Sequence, residues 1–192
     1  MLENIKNTTV ILGSQSPRRK QLLAGLGLTF EVEVRETVEF VDPNLSAIEA
    51  VRQIAICKAE AFRNRVDCLI ICADTVVVSD KGEILGKPKD KQEAIATLTN
   101  LSGKKHLVLT AVAILWKGKI STFVEKTTVY FYGLNLDEIE YYVTKFEPLD
   151  KAGSYGIQEW IGLIAIEKIE GEYNNVVGLP TAKLYQELKK LI

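Results

Sequence analysis

The chain has 192 residues, with 24 Lys and Arg against 25 Asp and Glu, one histidine and three cysteines. At that length, 47% hydrophobic and 26% charged residues describe one globular domain, or one with a modest lobe, and exclude a disordered chain. A net charge of −1 opposes binding to duplex phosphates, which needs clustered cations in excess, and a lone His106 excludes metal sites built on two imidazoles.

Thr8–Leu12 is a short β-branched and apolar run, which predicts a strand. Gly13-Ser-Gln-Ser-Pro-Arg-Arg19 follows, with Ser16 at an N-cap position and Pro17 at the first helical position, where its missing N–H costs nothing. The helix carries Leu22, Leu23 and Leu26, and Gly25 or Gly27 ends it. Phe30–Val34 alternates apolar and charged residues as a half-exposed strand. Ser46-Ala-Ile-Glu49 is a capping box opening a helix to about Asn64, with Val51, Ile54, Ala55, Ala61 and Phe62 facing inward. Lys58 falls in the middle of that apolar face.

Cys68–Val78 is the most apolar segment and predicts a central strand covered on both faces, broken by Asp74. Cys57, Cys68 and Cys72 contain no C-x-x-C pair and lie among apolar residues, as reduced structural thiols do. Asp80-Lys-Gly82 turns into Glu83–Leu85, and Asp90-Lys-Gln-Glu93 caps a helix ending at Ser102-Gly103. Leu107–Trp116 and Ile120–Phe131 predict a long antiparallel hairpin around Lys117-Gly-Lys119. Asn135–Glu138 caps a helix with Ile139, Tyr142, Val143 and Phe146 on one face. A Gly-containing loop, Lys151–Gln158, leads to an expected strand near Leu163–Ile166, and Gly178-Leu-Pro180 opens a last helix bearing Leu184, Leu188 and Leu191. Strands and helices without strict alternation predict an α/β fold with a mixed sheet and flanking helices. The first residues show no apolar signal core, and no run approaches a membrane span of ~18 residues. A cytoplasmic protein with no membrane or nucleic-acid partner is expected.

Asp74 carries the strongest chemical signal, since a carboxylate inside a hydrophobic strand is costly to bury unpaired. It suits a general base, an oxygen ligand for Mg²⁺, or a structural aspartate satisfied by backbone donors or an arginine. Ser14, Ser16 and the helix start form an N–H concavity with a positive dipole end, a generic anion site. Arg18 and Arg19 add charge where they oppose that dipole, which points to an anionic ligand. Lys58 and Lys87, in Gly86-Lys-Pro88, can serve the same anion or be a snorkelling and a loop lysine respectively. His106 reads as a hydrogen-bonded structural residue. No G-x-S-x-G elbow, P-loop or dinucleotide-binding glycine pattern is present.

Taken together, Ile11-Leu-Gly-Ser-Gln-Ser-Pro-Arg-Arg19, Ala73-Asp-Thr-Val76, Leu85-Gly-Lys-Pro88, Leu101-Ser-Gly103 with His106 and Thr110, Lys151-Ala-Gly-Ser-Tyr-Gly-Ile-Gln158 and Val177-Gly-Leu-Pro180 resemble, in order, the motifs of the Maf-like nucleoside triphosphate pyrophosphatases. The resemblance implies one domain over residues 1–192 with an inosine triphosphate pyrophosphatase-like fold, two-lobed around a central cleft, and a homodimer. It implies hydrolysis of a nucleoside triphosphate, dTTP or UTP, to the monophosphate and pyrophosphate by metal-assisted water attack on the α-phosphorus. House-cleaning of modified nucleotides fits the same chemistry.

By matched position, Asp74 is the proton acceptor, while Arg18, Thr75 and Gln158 are the trio of the dTTP/UTP subgroup. Lys58, Lys87 and Glu39 also fall at family positions linked to the phosphates and the metal. The turn with Ser14, Ser16, Arg18 and Arg19 is then expected to hold the triphosphate together with Lys58 and Lys87, and Asp74 with Glu39 a divalent metal, Mg²⁺ or Mn²⁺. The competing expectations are a nucleotide-binding regulator of septum formation with little turnover and a member of the 7-methyl-GTP subgroup. Gly13 departs from the family's alanine, and Glu159-Trp-Ile-Gly162 departs from a small, glycine-rich continuation, so that Trp160 is expected to narrow or re-aim the base pocket.

Overall fold

The computed structural model describes residues 2–37, 42 and 44–191. Its strands are β1 (Thr9–Leu12), β2 (Glu31–Val32), β3 (Cys68–Val78), β4 (Ile84–Leu85), β5 (Lys105–Trp116), β6 (Lys119–Phe131) and β7 (Ile166–Glu170). They form one open mixed sheet in the order β2-β1-β3-β5-β6-β7, with β4 paired to β3. β1 runs parallel to both β2 and β3, while β3–β4 and β6–β7 are antiparallel. The helices are α1 (Pro17–Gly25), α2 (Ala47–Glu60), α3 (Lys91–Leu101), α4 (Leu136–Phe146), α5 (Trp160–Ala165), α6 (Tyr173–Val177) and α7 (Thr181–Lys189). Among the described residues no helix is long and apolar enough to cross a membrane.

Local chemistry accounts for most of these boundaries. Ser46 and Glu49 close a reciprocal capping box at α2, Asn135 and Glu138 do the same at α4, and Asp90 caps α3. Each satisfies N–H groups that the helix itself leaves orphaned. The β5–β6 hairpin turns on Lys117 and Gly118 at φ +48° and +74°, the left-handed pair that a two-residue hairpin requires.

The chain divides into two compact units. Unit 1 comprises Met1–Asp74, Thr110–Glu125 and Gly178–Ile192; unit 2 comprises Thr75–Leu109 and Lys126–Val177. The boundary therefore falls inside β3, β5 and β6. The core of unit 1 gathers Leu12, Leu23, Leu69, Ile71, Val112 and Leu184. That of unit 2 gathers Leu98, Val129, Phe131, Tyr142, Ile161 and Ala165.

Three sequence expectations are corrected. The segment Trp160–Ala165 is helical, and the strand begins only at Ile166. Its buried residues are Ile161 and Ala165, four apart, while Leu163 is 84% exposed; this is a one-sided helical pattern, which an apolar run by itself does not distinguish from a strand. The strand expected over Phe30–Val34 shrinks to two residues, and α2 ends at Glu60 rather than near Asn64. Helix α6 was not expected. Cys68 and Cys72 are buried and Cys57 half-buried, all as free thiols.

His106 is a buried structural residue of unit 2. Its Nε2 lies 2.7 Å from the Tyr155 hydroxyl and its ring meets Phe131 edge-on at 4.9 Å, while Nδ1 has no partner among the described residues. Burial pushes its pKa down to about 4. Between pH ~6.5 and ~4 the unfolded chain takes up a proton that the folded chain refuses, so acidification destabilises the fold through that window by about 1.4 kcal/mol per unit. Denaturant titrations at pH 7 and pH 5 are expected to show this loss in the native chain and a flatter dependence in His106→Gln; equal slopes in the two chains would contradict it.

Candidate functional site

Unit 1 brings Ser14, Ser16, Arg18, Arg19, Lys58 and Asp74 into one compact unit. The organising element is the parallel pairing of β1 with β3, in register from Thr9 opposite Cys68 to Leu12 opposite Ile71. The chain leaving β1 thus continues beside Cys72 and Ala73, its first bond running from Gly13 N–H to Ile71 O at 2.9 Å. Carboxyl ends of parallel strands are where open α/β sheets place their ligands.

Here the turn becomes α1. The Ser16 side chain caps Arg19 N–H, and Ser14 Oγ accepts from Ser16 N–H and from Arg19 Nη1, each at 3.3 Å. Arg19 Nε donates to Gly178 O at 2.8 Å, so this arginine ties the helix start to the segment before α7. Desolvation works against its charge, and the field of Asp74 supports it. Arg18 is half-buried in the same first turn.

Asp74 and Thr75 are the two half-buried positions in an otherwise buried β3. Lys58 Nζ lies 2.6 Å from Asp74 Oδ1, with side chains 23% and 19% exposed. The lysine that the helical pattern placed on the inward face of α2, the helix that also buries Val51 and Ala55, meets this carboxylate. A half-buried pair of this kind retains strong attraction without the full desolvation cost of a dry interior.

The departure at Gly13 has a local cause. A Cβ there would collide with Cys72 Sγ and come within 3.3 Å of Phe62 Cε2. Cys72 fills the space that alanine would take. Burial raises its thiol to a pKa of about 12, although Lys58 and Arg19 pull the other way, so it packs as an unreactive side chain.

Unit 2 holds the other three positions, Thr75, Lys87 and Gln158. Lys87 is exposed, and its loop is joined to the Lys151–Gln158 segment by Gly153 N–H to Gly86 O at 3.1 Å. Gly153, at φ +71°, lets the backbone pass Val77, whose Cγ2 would stand 2.7 Å from a Cβ. Gln158 is exposed at the tip of a turn closed by Glu159 N–H to Gly156 O at 2.9 Å, while Gly153–Ile157 are buried.

Three residues of this turn region were not singled out as functional by the sequence. Tyr142, wholly buried on α4, accepts from Gly156 N–H at 2.9 Å and donates to Glu159 Oε2. Glu159 Oε1 lies 3.2 Å from Lys151 Nζ, which also meets Asp150 at 2.7 Å. The signals were a tyrosine on an apolar helix face, whose hydroxyl needs a partner, and the charged residue at 159 where the resemblance led to a small one.

Glu39, the second carboxylate expected at the metal, lies outside the described residues. Among the described residues no group of three or more His, Cys, Asp or Glu side chains is placed to hold a metal ion. Asp74 supplies a hard oxygen donor whose field reaches Arg19 in the first turn of α1, which fits a Mg²⁺-type ion held by one or two carboxylates together with substrate phosphates. A cavity of about 570 Å³ opens elsewhere in unit 1, lined by residues including Leu2, Val10, Leu28, Phe30 and Tyr185, and contains none of the expected site residues.

A family model described as Maf-like protein matches residues 9–191. Curated relatives include proteins named dTTP/UTP pyrophosphatase from Phocaeicola vulgatus, 48% identical over all of both chains, and from Porphyromonas gingivalis, 46% identical over 98% of this chain and 97% of the relative. A third, from Christiangramia forsetii, is 44% identical over 99% of this chain and 97% of its own. Among solved structures, the Ham1 protein of Staphylococcus aureus matches with a TM-score of 0.51 at 16% identity, covering 94% of this chain and all of the other. A HAM1 protein from Coxiella burnetii matches at 0.53 and 14%, covering 96% and 100%. These last two matches establish the shared fold.

Proposed function

The chain belongs to the Maf-like family, and from that premise we propose that it hydrolyses dTTP and UTP to the nucleoside monophosphate and pyrophosphate. Relatives bearing that activity in their names match it end to end. The family model runs through both units, in keeping with one catalytic domain over residues 1–192.

The observation that carries the reading is the Lys58–Asp74 pair at 2.6 Å, half-buried beside an anion-receptive helix start. Phosphoryl transfer asks a protein mainly for positioning and charge neutralisation. In this proposal the N–H groups and hydroxyls of the Ser14–Ser16 turn, with Arg18, Lys58 and Lys87, hold the triphosphate. Arg19, bonded to Ser14 and Gly178, keeps that turn in shape and adds to its positive field. Asp74 orients the attacking water and takes its proton, and its salt bridge to Lys58 fixes the carboxylate in place. Asp74, with Glu39, would hold a divalent cation, Mg²⁺ or Mn²⁺, which when bound neutralises phosphate charge. Thr75 follows Asp74 in β3, and Gln158 reads the base.

Product analysis tests the reaction class. With Mg²⁺ or Mn²⁺, a panel of dTTP, UTP, CTP and 7-methyl-GTP is expected to yield pyrophosphate and monophosphate, fastest from dTTP and UTP, and to stop on chelation. Release of single phosphate would assign a different hydrolase, and fastest turnover of 7-methyl-GTP would move the chain to the other subgroup.

A further inference from the structure

We infer that Tyr142, Glu159 and Lys151 form a clamp that positions the Gln158 turn and thereby sets pyrimidine selectivity; this rests on the reading of Gln158 as the base-recognising residue. The contacts that link the three side chains are not incidental surface contacts. Tyr142 is wholly buried, and Lys151 has only 9% of its side chain exposed. Their hydrogen bonds converge on the two ends of one turn. At its start, Gly156 N–H donates to the Tyr142 hydroxyl; at its end, the Glu159 carboxylate accepts from that same hydroxyl and pairs with Lys151. Glu159 N–H to Gly156 O closes the turn itself, and Glu159 O accepts from Gly162 N–H at the start of α5. Gly156 leaves room for the arrangement, because a Cβ there would stand 2.8 Å from the Glu159 carboxyl carbon.

Selectivity gives this rigidity a purpose. A primary amide offers one donor and one acceptor face, which match the carbonyl and N–H of uracil or thymine. Turned over, the same amide matches the amino group and bare ring nitrogen of cytosine. Gln158 therefore discriminates only if the turn that carries it is held, and it is the exposed tip of a segment otherwise buried. Tyr142, Glu159 and Lys151 are positioning residues in this scheme: they act on the base through the backbone of the turn.

The test is the ratio of kcat/KM for UTP to that for CTP, read by pyrophosphate release, in Tyr142→Phe, Glu159→Gln, Gln158→Ala and the Tyr142→Phe/Gln158→Ala double variant. Tyr142→Phe conserves the ring in its packed site, and Lys151→Met/Glu159→Gln removes both charges together, so that one clamp variant remains testable if another fails to fold. The ratio is expected to fall about tenfold or more in each clamp variant, chiefly through a higher KM for UTP. The double variant is expected to fall no further than Gln158→Ala alone, which a general loss of stability would not produce. An unchanged ratio in the folded clamp variants, with a collapsed ratio in Gln158→Ala, overturns the clamp and leaves base reading intact. Losses that multiply in the double variant also overturn it. An unchanged ratio in Gln158→Ala itself overturns the reading on which the clamp rests.

Discussion

Asp74→Asn is expected to reduce pyrophosphate release by about 10²–10⁴-fold, the usual worth of a positioned general base, while nucleotide binding persists. The amide keeps the volume of the carboxylate but neither its charge nor its basicity. Lys58, no longer neutralised at 2.6 Å, presents more of its charge to a triphosphate, so affinity is expected to hold or rise as turnover collapses. The fold tolerates the change because neither side chain is fully buried; the cost lies nearer the ~1–3 kcal/mol of a hydrogen bond lost to a charged group than that of a charge stranded in a dry core. Equilibrium binding of UTP beside a pyrophosphate-release assay separates the two effects. Retention of more than a tenth of the native rate with intact binding would remove Asp74 from the chemistry.

The second large effect falls on selectivity. Gln158→Ala is expected to lower the preference for dTTP and UTP over CTP by about ten- to a hundredfold, the equivalent of about 1–3 kcal/mol for a matched hydrogen-bonding edge left unpaired. The alanine leaves the turn intact, because that turn is closed by backbone atoms of Gly156 and Glu159 and not by the Gln158 side chain. Release of pyrophosphate from an equimolar nucleotide mixture, with the monophosphates resolved, measures the preference directly. If dTTP and UTP remain preferred to the same degree, selectivity comes from another part of the chain.

The parts of this molecule that were legible in its sequence are those decided within a few residues. The capping boxes at Ser46–Glu49 and Asn135–Glu138, the Ser16 cap with Pro17 behind it and the Lys117–Gly118 hairpin are local chemistry and form where expected. Asp74 stood out for the same reason, as a carboxylate in an apolar strand. What needed three dimensions were the partners. The helical repeat put Lys58 on the wrong-looking face of α2, but only the placement of α2 against β3 supplied Asp74 as the reason. Arg19 meets Gly178 across 159 positions of sequence, and no spacing rule reaches that far. The strand expected near Leu163–Ile166 begins only at Ile166, because a short apolar stretch fits either period; the exposed Leu163 decides for helix only once burial is known. Glu159 was noticed as an odd residue, and its meaning waited on Tyr142 and Lys151.

The interleaving of the two units has a consequence for how the chain acquires its structure. The core of unit 1 contains Leu12 and Leu69 and also Leu179, Leu184 and Leu188, so a polypeptide emerging residue by residue makes every part of unit 2 before it can finish unit 1. Loop closure over such separations is slow, and during synthesis the apolar faces of β1 and β3 wait for α7 with their partners still unmade. The nascent protein therefore passes through a stage in which unit 2 has its full complement of residues while unit 1, the half that carries Asp74, still exposes unpaired core, the condition under which newly made chains depend most on chaperones.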